Sequence, residues 1–206
     1  MSLTELSSQD DIIQQEILGA AIRLYQKFGP NGFTMDDLAA AAGRSRTSLY
    51  YYYKNRDEIY QAVMDKIARD IAAEIRQAVA MAESLRDRIF AFCSAKLKSS
   101  EDWKKVFRAM ITSMDAEEQS KHANMMYSWH KKLIHHESMI LNEILADAMR
   151  RKEIRAISPA DQDQLVFLIY SGIRGFRREI LELDDPHDMK TTLSLLTDLV
   201  VTWLKN

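Results

Sequence analysis

The chain has 206 residues, one cysteine and a formal net charge of −2. One thiol excludes an intrachain disulfide, and the near-neutral charge excludes a chain that coats nucleic acid along its whole surface. Three prolines and six glycines, with few β-branched runs, point to an all-α protein of about nine helices.

Residues 1 to about 9 are polar and are expected to be unstructured. Ile13, Ile17, Ala20, Ala21, Leu24, Tyr25 and Phe28 then recur at helical spacing, and Gly29-Pro30-Asn31-Gly32 ends that helix. Phe33 is expected to plug a small core from the loop. Thr34 is an N-cap residue ahead of Met35 to Ala42, and Gly43 is a helix stop. Ser45 caps a second short helix, Arg46 to Tyr53. Two short helices joined by a tight turn form the helix-turn-helix pattern, whose second helix enters the DNA major groove.

The second helix has the chemistry for that task. Arg44, Arg46, Lys54 and Arg56 occur with no acidic residue from Gly43 to Arg56. Four consecutive tyrosines, Tyr50 to Tyr53, cannot all face one core, because successive helix residues lie about 100° apart. The surplus phenols and the hydroxyls of Ser45, Thr47 and Ser48 suit phosphate. Arg46 opens the helix and can bond guanine bidentately.

From Ile13 to Val63 the chain resembles the DNA-binding domain of the TetR family of bacterial transcriptional regulators. The resemblance is carried by ILGAAIRLYQKFG and by GFTMDDLAAAAGRSRTSLYYYYKNRDEIYQAV. Its most specific part is the block S-x-x-x-L-Y-x-Y-[FY]-x-[NS]-[KR]-[DE], here Ser45 to Asp57. It implies base contacts from Arg46 and Thr47. It implies phosphate contacts from Thr34, Ser45, Ser48, Tyr50, Tyr51, Tyr52 and Arg56, with Leu49 and Tyr53 in the core. Thr47 stands where the family often has glycine.

Asn55 and Glu58 form a capping pair for a long helix from Arg56 to about Met81, with Ile59, Val63, Ile67, Ile71, Ile75 and Val79 on one face. Further starts are read at Ser84-x-x-Asp87, Ser99-x-x-Asp102, Asp115-x-x-Glu118 and Ser158-Pro159. Asp185-Pro186 separates the last two helices. The expected organisation is an N-terminal helix-turn-helix domain, residues 1–56. A helical domain for effector binding and dimerisation, residues 57–206, follows.

The resemblance implies an effector pocket within the second domain. Trp103, Phe107, Met110, Met126 and Trp129 would give it an adaptable apolar wall, and His130 and Glu137 its polar handles. That balance fits an apolar or amphipathic molecule. The resemblance also implies a homodimer through the last two helices, with Leu165, Ile169, Gly172, Phe176, Ile180, Leu196, Val200 and Trp203 at the interface. Gly172 and Gly175 are expected where another helix comes close. No catalytic constellation, cofactor motif or metal-ligand spacing appears, and no apolar run has membrane-spanning length. The expected function is a cytoplasmic, ligand-responsive regulator, a repressor bound to a pseudo-palindromic double-stranded operator. The alternatives are an activator of the same fold, or a helical carrier or enzyme with a vestigial DNA-binding domain.

Overall fold

The computed structural model describes residues 3–29, 32–112, 116–182 and 186–206, and it describes side chains except those of 3–8, 104–112, 116–119, 121, 122, 124, 181 and 182. Eight α-helices are present among the described residues: α1 (Leu3–Phe28), α2 (Met35–Ala41), α3 (Arg46–Tyr52), α4 (Arg56–Ala80), α5 (Leu85–Thr112), α6 (Ala116–Arg150), α7 (Pro159–Phe176) and α8 (Met189–Lys205). A π-helical turn, Arg177–Glu182, continues α7. No strand is present among the described residues.

The residues form two compact units, 1–68 with 103–130, and 69–102 with 131–206. In the first unit, Ile17, Ala20, Ala21 and Tyr25 of α1 pack with Leu38 of α2, Leu49 of α3 and Ile59, Val63 and Ile67 of α4, all nearly without exposure. Full burial of each aliphatic side chain contributes about 1.5–3 kcal/mol before entropy is counted. Phe33 is buried edge-on to Tyr25, ring centroids 5.0 Å apart, and Tyr60 meets Tyr25 from another side at 5.7 Å. The loop aromatic plugs the core as expected.

In the second unit, Ile71 and Ile75 of α4, Ile89 and Phe92 of α5, Ile140, Leu141 and Leu145 of α6, Ile169 and Ile173 of α7, and Leu193 and Leu204 of α8 form the core. Cys93 lies in it with no exposure, and burial pushes its thiol up to about 12. The thiol therefore stays protonated at neutral pH and behaves as a small apolar residue. Arg86 clamps α5 to α8: its Nε donates to Asp198 Oδ1 at 2.6 Å and its Nη2 to Asp198 Oδ2 at 3.0 Å.

Two expectations are corrected. The N-terminus is helical from Leu3, so α1 is longer than its apolar periodicity suggested. Ser99-x-x-Asp102 starts no helix, because α5 runs unbroken through it. Ser99 is buried there and donates to Glu74 Oε2 at 3.2 Å. Within the protomer, Gly172 and Gly175 have ordinary room. A Cβ on Gly172 would meet Leu196 at 3.5 Å, normal van der Waals contact, and one on Gly175 would meet nothing within 4 Å.

Candidate nucleic-acid interface

The turn between α2 and α3 is built by local chemistry. Thr34 Oγ1 accepts from the Asp37 amide at 3.1 Å, and the Asp37 carboxylate accepts from the Thr34 amide at 2.8 Å. These bonds, the backbone one foremost, hold the Asp37 carboxyl below the usual carboxylate range. At the other end Gly43 has φ +65°, a conformation costly for any residue with a Cβ. There the Gly43 and Arg44 amides donate to Ala40 and Ala39 carbonyls at 3.1 and 2.9 Å. Ser45 Oγ then accepts from the Ser48 amide at 3.1 Å and starts α3. Leu49 and Tyr53 are buried beneath it. Capping at both ends fixes the angle at which seven residues of α3 are presented.

Arg46, Thr47, Tyr50 and Tyr51 are exposed on α3, Tyr51 most of all at 77%. The Arg46 guanidinium lies over the Tyr50 ring, 5.5 Å from its centroid, and its Nη1 donates to Asp36 Oδ2 of α2 at 3.0 Å. Arg44 pairs with Glu16 of α1. Tyr52 is half-buried and donates to Asp10 Oδ1 at 2.7 Å, and this bond pushes its phenol up to about 12. Three cationic or phenolic groups around α3 thus each meet a carboxylate from α1 or α2. Sequence reading missed all three partners. They lie 10 to 42 residues away, and no local pattern marks them.

Arg56 sits differently from the others. Its guanidinium lies 5.2 Å from the Phe33 ring centroid, and its Nη2 is buried with no hydrogen-bond partner among the described residues. Thr34 and Ser45 are engaged as caps, so their hydroxyls serve the backbone first. Lys54 contributes its amide to Glu58 Oε2 at 2.8 Å, closing the Asn55–Glu58 capping pair read from sequence.

Of the seven effector candidates, four with described side chains belong to the first compact unit and one to the second. Trp103, Met126, Trp129 and His130 belong to the first compact unit. Trp129 is buried there, Trp103 and Met126 are half-buried and His130 is exposed. The side chains of Phe107 and Met110 lie outside the described residues. Glu137 belongs to the second unit, almost fully buried. It accepts from Lys96 Nζ at 2.6 Å, and the Lys96 ammonium lies 4.6 Å from the Tyr170 ring centroid. Burial raises the Glu137 carboxyl above its usual range, and Lys96 opposes that rise. The Tyr170 hydroxyl is buried with no hydrogen-bond partner among the described residues. A separate cavity of about 670 Å³ opens among α4, α5 and α6 of the second unit. Val79, Ile140 and Ile144 line it, and Arg76 and Arg88 pair there with Glu143 and Asp147. None of the seven candidates lines this cavity.

On α7 and α8, Leu165, Ile169 and Val200 are buried within the protomer, while Gly172, Phe176, Ile180 and Leu196 are half-buried. The apolar side chains that face outward are Phe167 and Leu168 on α7 and Leu195, Leu199 and Trp203 on α8. Of the eight interface candidates, only Trp203 falls in that exposed set. Helical periodicity marks both sides of α7 as apolar and does not say which side is turned in.

Residues 17–63 match the family described as bacterial regulatory proteins, tetR family. The HTH-type transcriptional regulator BetI of Brucella anthropi is 23% identical over 141 residues, spanning 68% of this chain and 73% of its own. A putative TetR-family transcriptional regulator from Mesorhizobium loti superimposes with a TM-score of 0.63 at 16% identity, covering 94% of this chain and 95% of its own. The transcriptional regulator FadR of Bacillus subtilis, solved in complex with stearoyl-CoA, gives a TM-score of 0.57 at 15% identity, covering 91% and 97%. At these identities the structural likenesses speak for the fold. No described helix is long and apolar enough to cross a membrane.

Proposed function

We propose, from the match of residues 17–63 to the TetR family of bacterial regulatory proteins, that the chain is a ligand-responsive transcription regulator of that family, acting as a homodimeric repressor in the cytoplasm. Residues 1–56 bind DNA, and residues 57–206 bind the effector and dimerise. The observation that carries the reading is Arg46, exposed at the start of a helix whose tilt is set by the Thr34, Gly43 and Ser45 caps. Arg46 and Thr47 read base edges. Ser45, Ser48, Tyr50, Tyr51 and Arg56 hold phosphates, and the buried, unpartnered Nη2 of Arg56 supports a role in accepting an anion. Thr34 and Tyr52 serve as phosphate contacts once their present partners yield.

Two copies related by a two-fold axis place their recognition helices in successive major grooves, about 34 Å apart. An apolar or amphipathic small molecule favours an arrangement that changes this spacing, and DNA is released. Such a ligand acts only through its different affinity for the two states. FadR, which shares the fold, was solved with an acyl thioester of this amphipathic kind. The apolar side chains of Trp103, Met126 and Trp129 in the first unit support the same class here.

Selection of bound duplexes from a random pool tests the proposal. A two-fold symmetric motif with a fixed guanine in each half-site is expected. Arg46→Ala should lose that guanine at a cost of about 1–3 kcal/mol. A pool that returns no motif would overturn the reading.

A further inference from the structure

We infer that Asp36 is the positioning residue that makes Arg46 a base reader instead of a phosphate contact. The inference rests on the DNA-binding reading above and adds a residue to it.

An exposed arginine at a helix start has a long, mobile side chain and five N–H donors. Left free beside a duplex, it pairs with the nearest phosphate, which carries no sequence information. Arg46 is not free. Asp36 Oδ2 holds Nη1 at 3.0 Å, which fixes the direction of the fork. The Tyr50 ring lies 5.5 Å from the guanidinium carbon and bears on its flat face. With Nη1 held, the edge formed by Nε and Nη2 remains to donate two parallel bonds, the geometry that guanine O6 and N7 accept. The Asp36 charge also makes the same spot unfavourable for a phosphate. One carboxylate therefore does two things: it aims the fork and repels the competing ligand.

Apart from the Arg46 pair, Asp36 contributes only its charge at the first turn of α2. The α2 cap is closed by Asp37, not Asp36. The pair is exposed, with side-chain exposures of 65% and 59%, and such pairs contribute little to stability. Its presence at α3 therefore calls for a role other than holding the helices together.

The experiment uses the full chain as wild type, Asp36→Asn, Asp36→Ser and Asp36→Glu. Each is read by random-pool selection and by salt titration on a selected and an unrelated duplex, with a thermal melt as control. Asp36→Asn and Asp36→Ser should melt as wild type does. Both should lose about tenfold or more of the guanine preference at the Arg46 base. Both should also bind the unrelated duplex more tightly, with a log–log salt slope steeper by about 0.9, as Arg46 captures one more phosphate. Asp36→Glu keeps the charge and should keep most of the guanine preference. An unchanged motif and slope in Asp36→Asn would overturn the inference while leaving the DNA-binding reading intact. Equal weakening on both duplexes would overturn it as well, since a merely structural residue moves both alike. A wild-type chain that selects no motif overturns the DNA-binding reading and this inference together.

Discussion

The indole Nε1 of Trp129, on α6, donates a 2.7 Å hydrogen bond to the backbone carbonyl of Met64, on α4. Both residues are buried. A helix carbonyl has a second lone pair beyond the one its own ladder uses, so this bond adds to α4 without breaking it. A movement of α4 must therefore either carry Trp129 along or part the pair. Trp129→Phe should cost about 1 kcal/mol, read as a lower urea midpoint with an unchanged m-value. An unaltered midpoint would show that the bond adds nothing to the fold.

The ion pair of Lys96 and Glu137 should be far less forgiving. Removing one partner leaves a buried charge, so Lys96→Met should cost about 3–5 kcal/mol, and a double change to methionine should recover most of that loss. The pH dependence identifies the cause. Glu137 holds its proton more tightly folded than at its ordinary 4.5, because burial outweighs Lys96. The stability tied to that proton is full below about 4.5 and is lost as pH rises through the folded value. Without Lys96 the carboxyl rises further, so the gap between Lys96→Met and wild type should widen from pH about 5 to 8. A gap that stayed constant over that range would contradict this account.

Acid should act through a different set of groups. Hydrogen bonds hold Asp37, Asp147, Asp188 and Asp198 below their ordinary 3.8, from Thr34, Arg88, Thr191 and Arg86 respectively. A lowered carboxyl contributes stability above its unfolded value and loses it as pH falls through the folded one. Melting temperature should therefore drop steeply below pH about 3.8. Asp198→Asn, which keeps the shape beside Arg86 without the charge, should be less stable at neutral pH and should lose less on acidification. Parallel acid profiles for the two proteins would rule Asp198 out as a contributor.

Two substitutions test where the proposed homodimer has its interface. Leu195, Leu199 and Trp203 recur every four residues along α8 and face outward, with Phe167 and Leu168 exposed on α7. A stable interface buries more than about 1,000 Å² in total. Leu199→Glu should give a monomer with native helix content by light scattering and circular dichroism. Ile169→Glu places a charge at a site only 1% exposed and should unfold the protomer instead. A Leu199→Glu protein that remained dimeric would move the interface elsewhere.

What could be read from the sequence was whatever neighbouring residues decide. Thr34, Ser45 and Ser158 cap their helices as their side chains and spacing indicate, and Gly43 takes the left-handed turn that stops α2. Leu49 is buried from α3, Tyr53 from the residue just past its end and Phe33 from the loop before α2, as the sequence indicated. What could not be read depends on chain segments far apart. Glu137 was seen as a polar residue in an apolar stripe, but Lys96 lies 41 residues earlier and no pattern joins them. Ser99 has the local signature of a helix start, but α5 runs unbroken through it and its hydroxyl bonds Glu74. The carboxylates around α3 come from α1 and α2, so nothing local set Tyr52, which is bonded to Asp10, apart from Tyr50 and Tyr51.

The first compact unit is discontinuous in sequence: residues 69–102 stand between its two pieces. On a ribosome the chain emerges from its N-terminus at about 5–20 residues per second. Trp129 lies 65 residues after Met64, so it leaves the tunnel about 3–13 s after the carbonyl it bonds. During that interval the unit lacks the segment that completes it. A nascent chain halted before residue 103 is thus a different object from the finished protein, with the DNA-facing helices already formed and their support still to come.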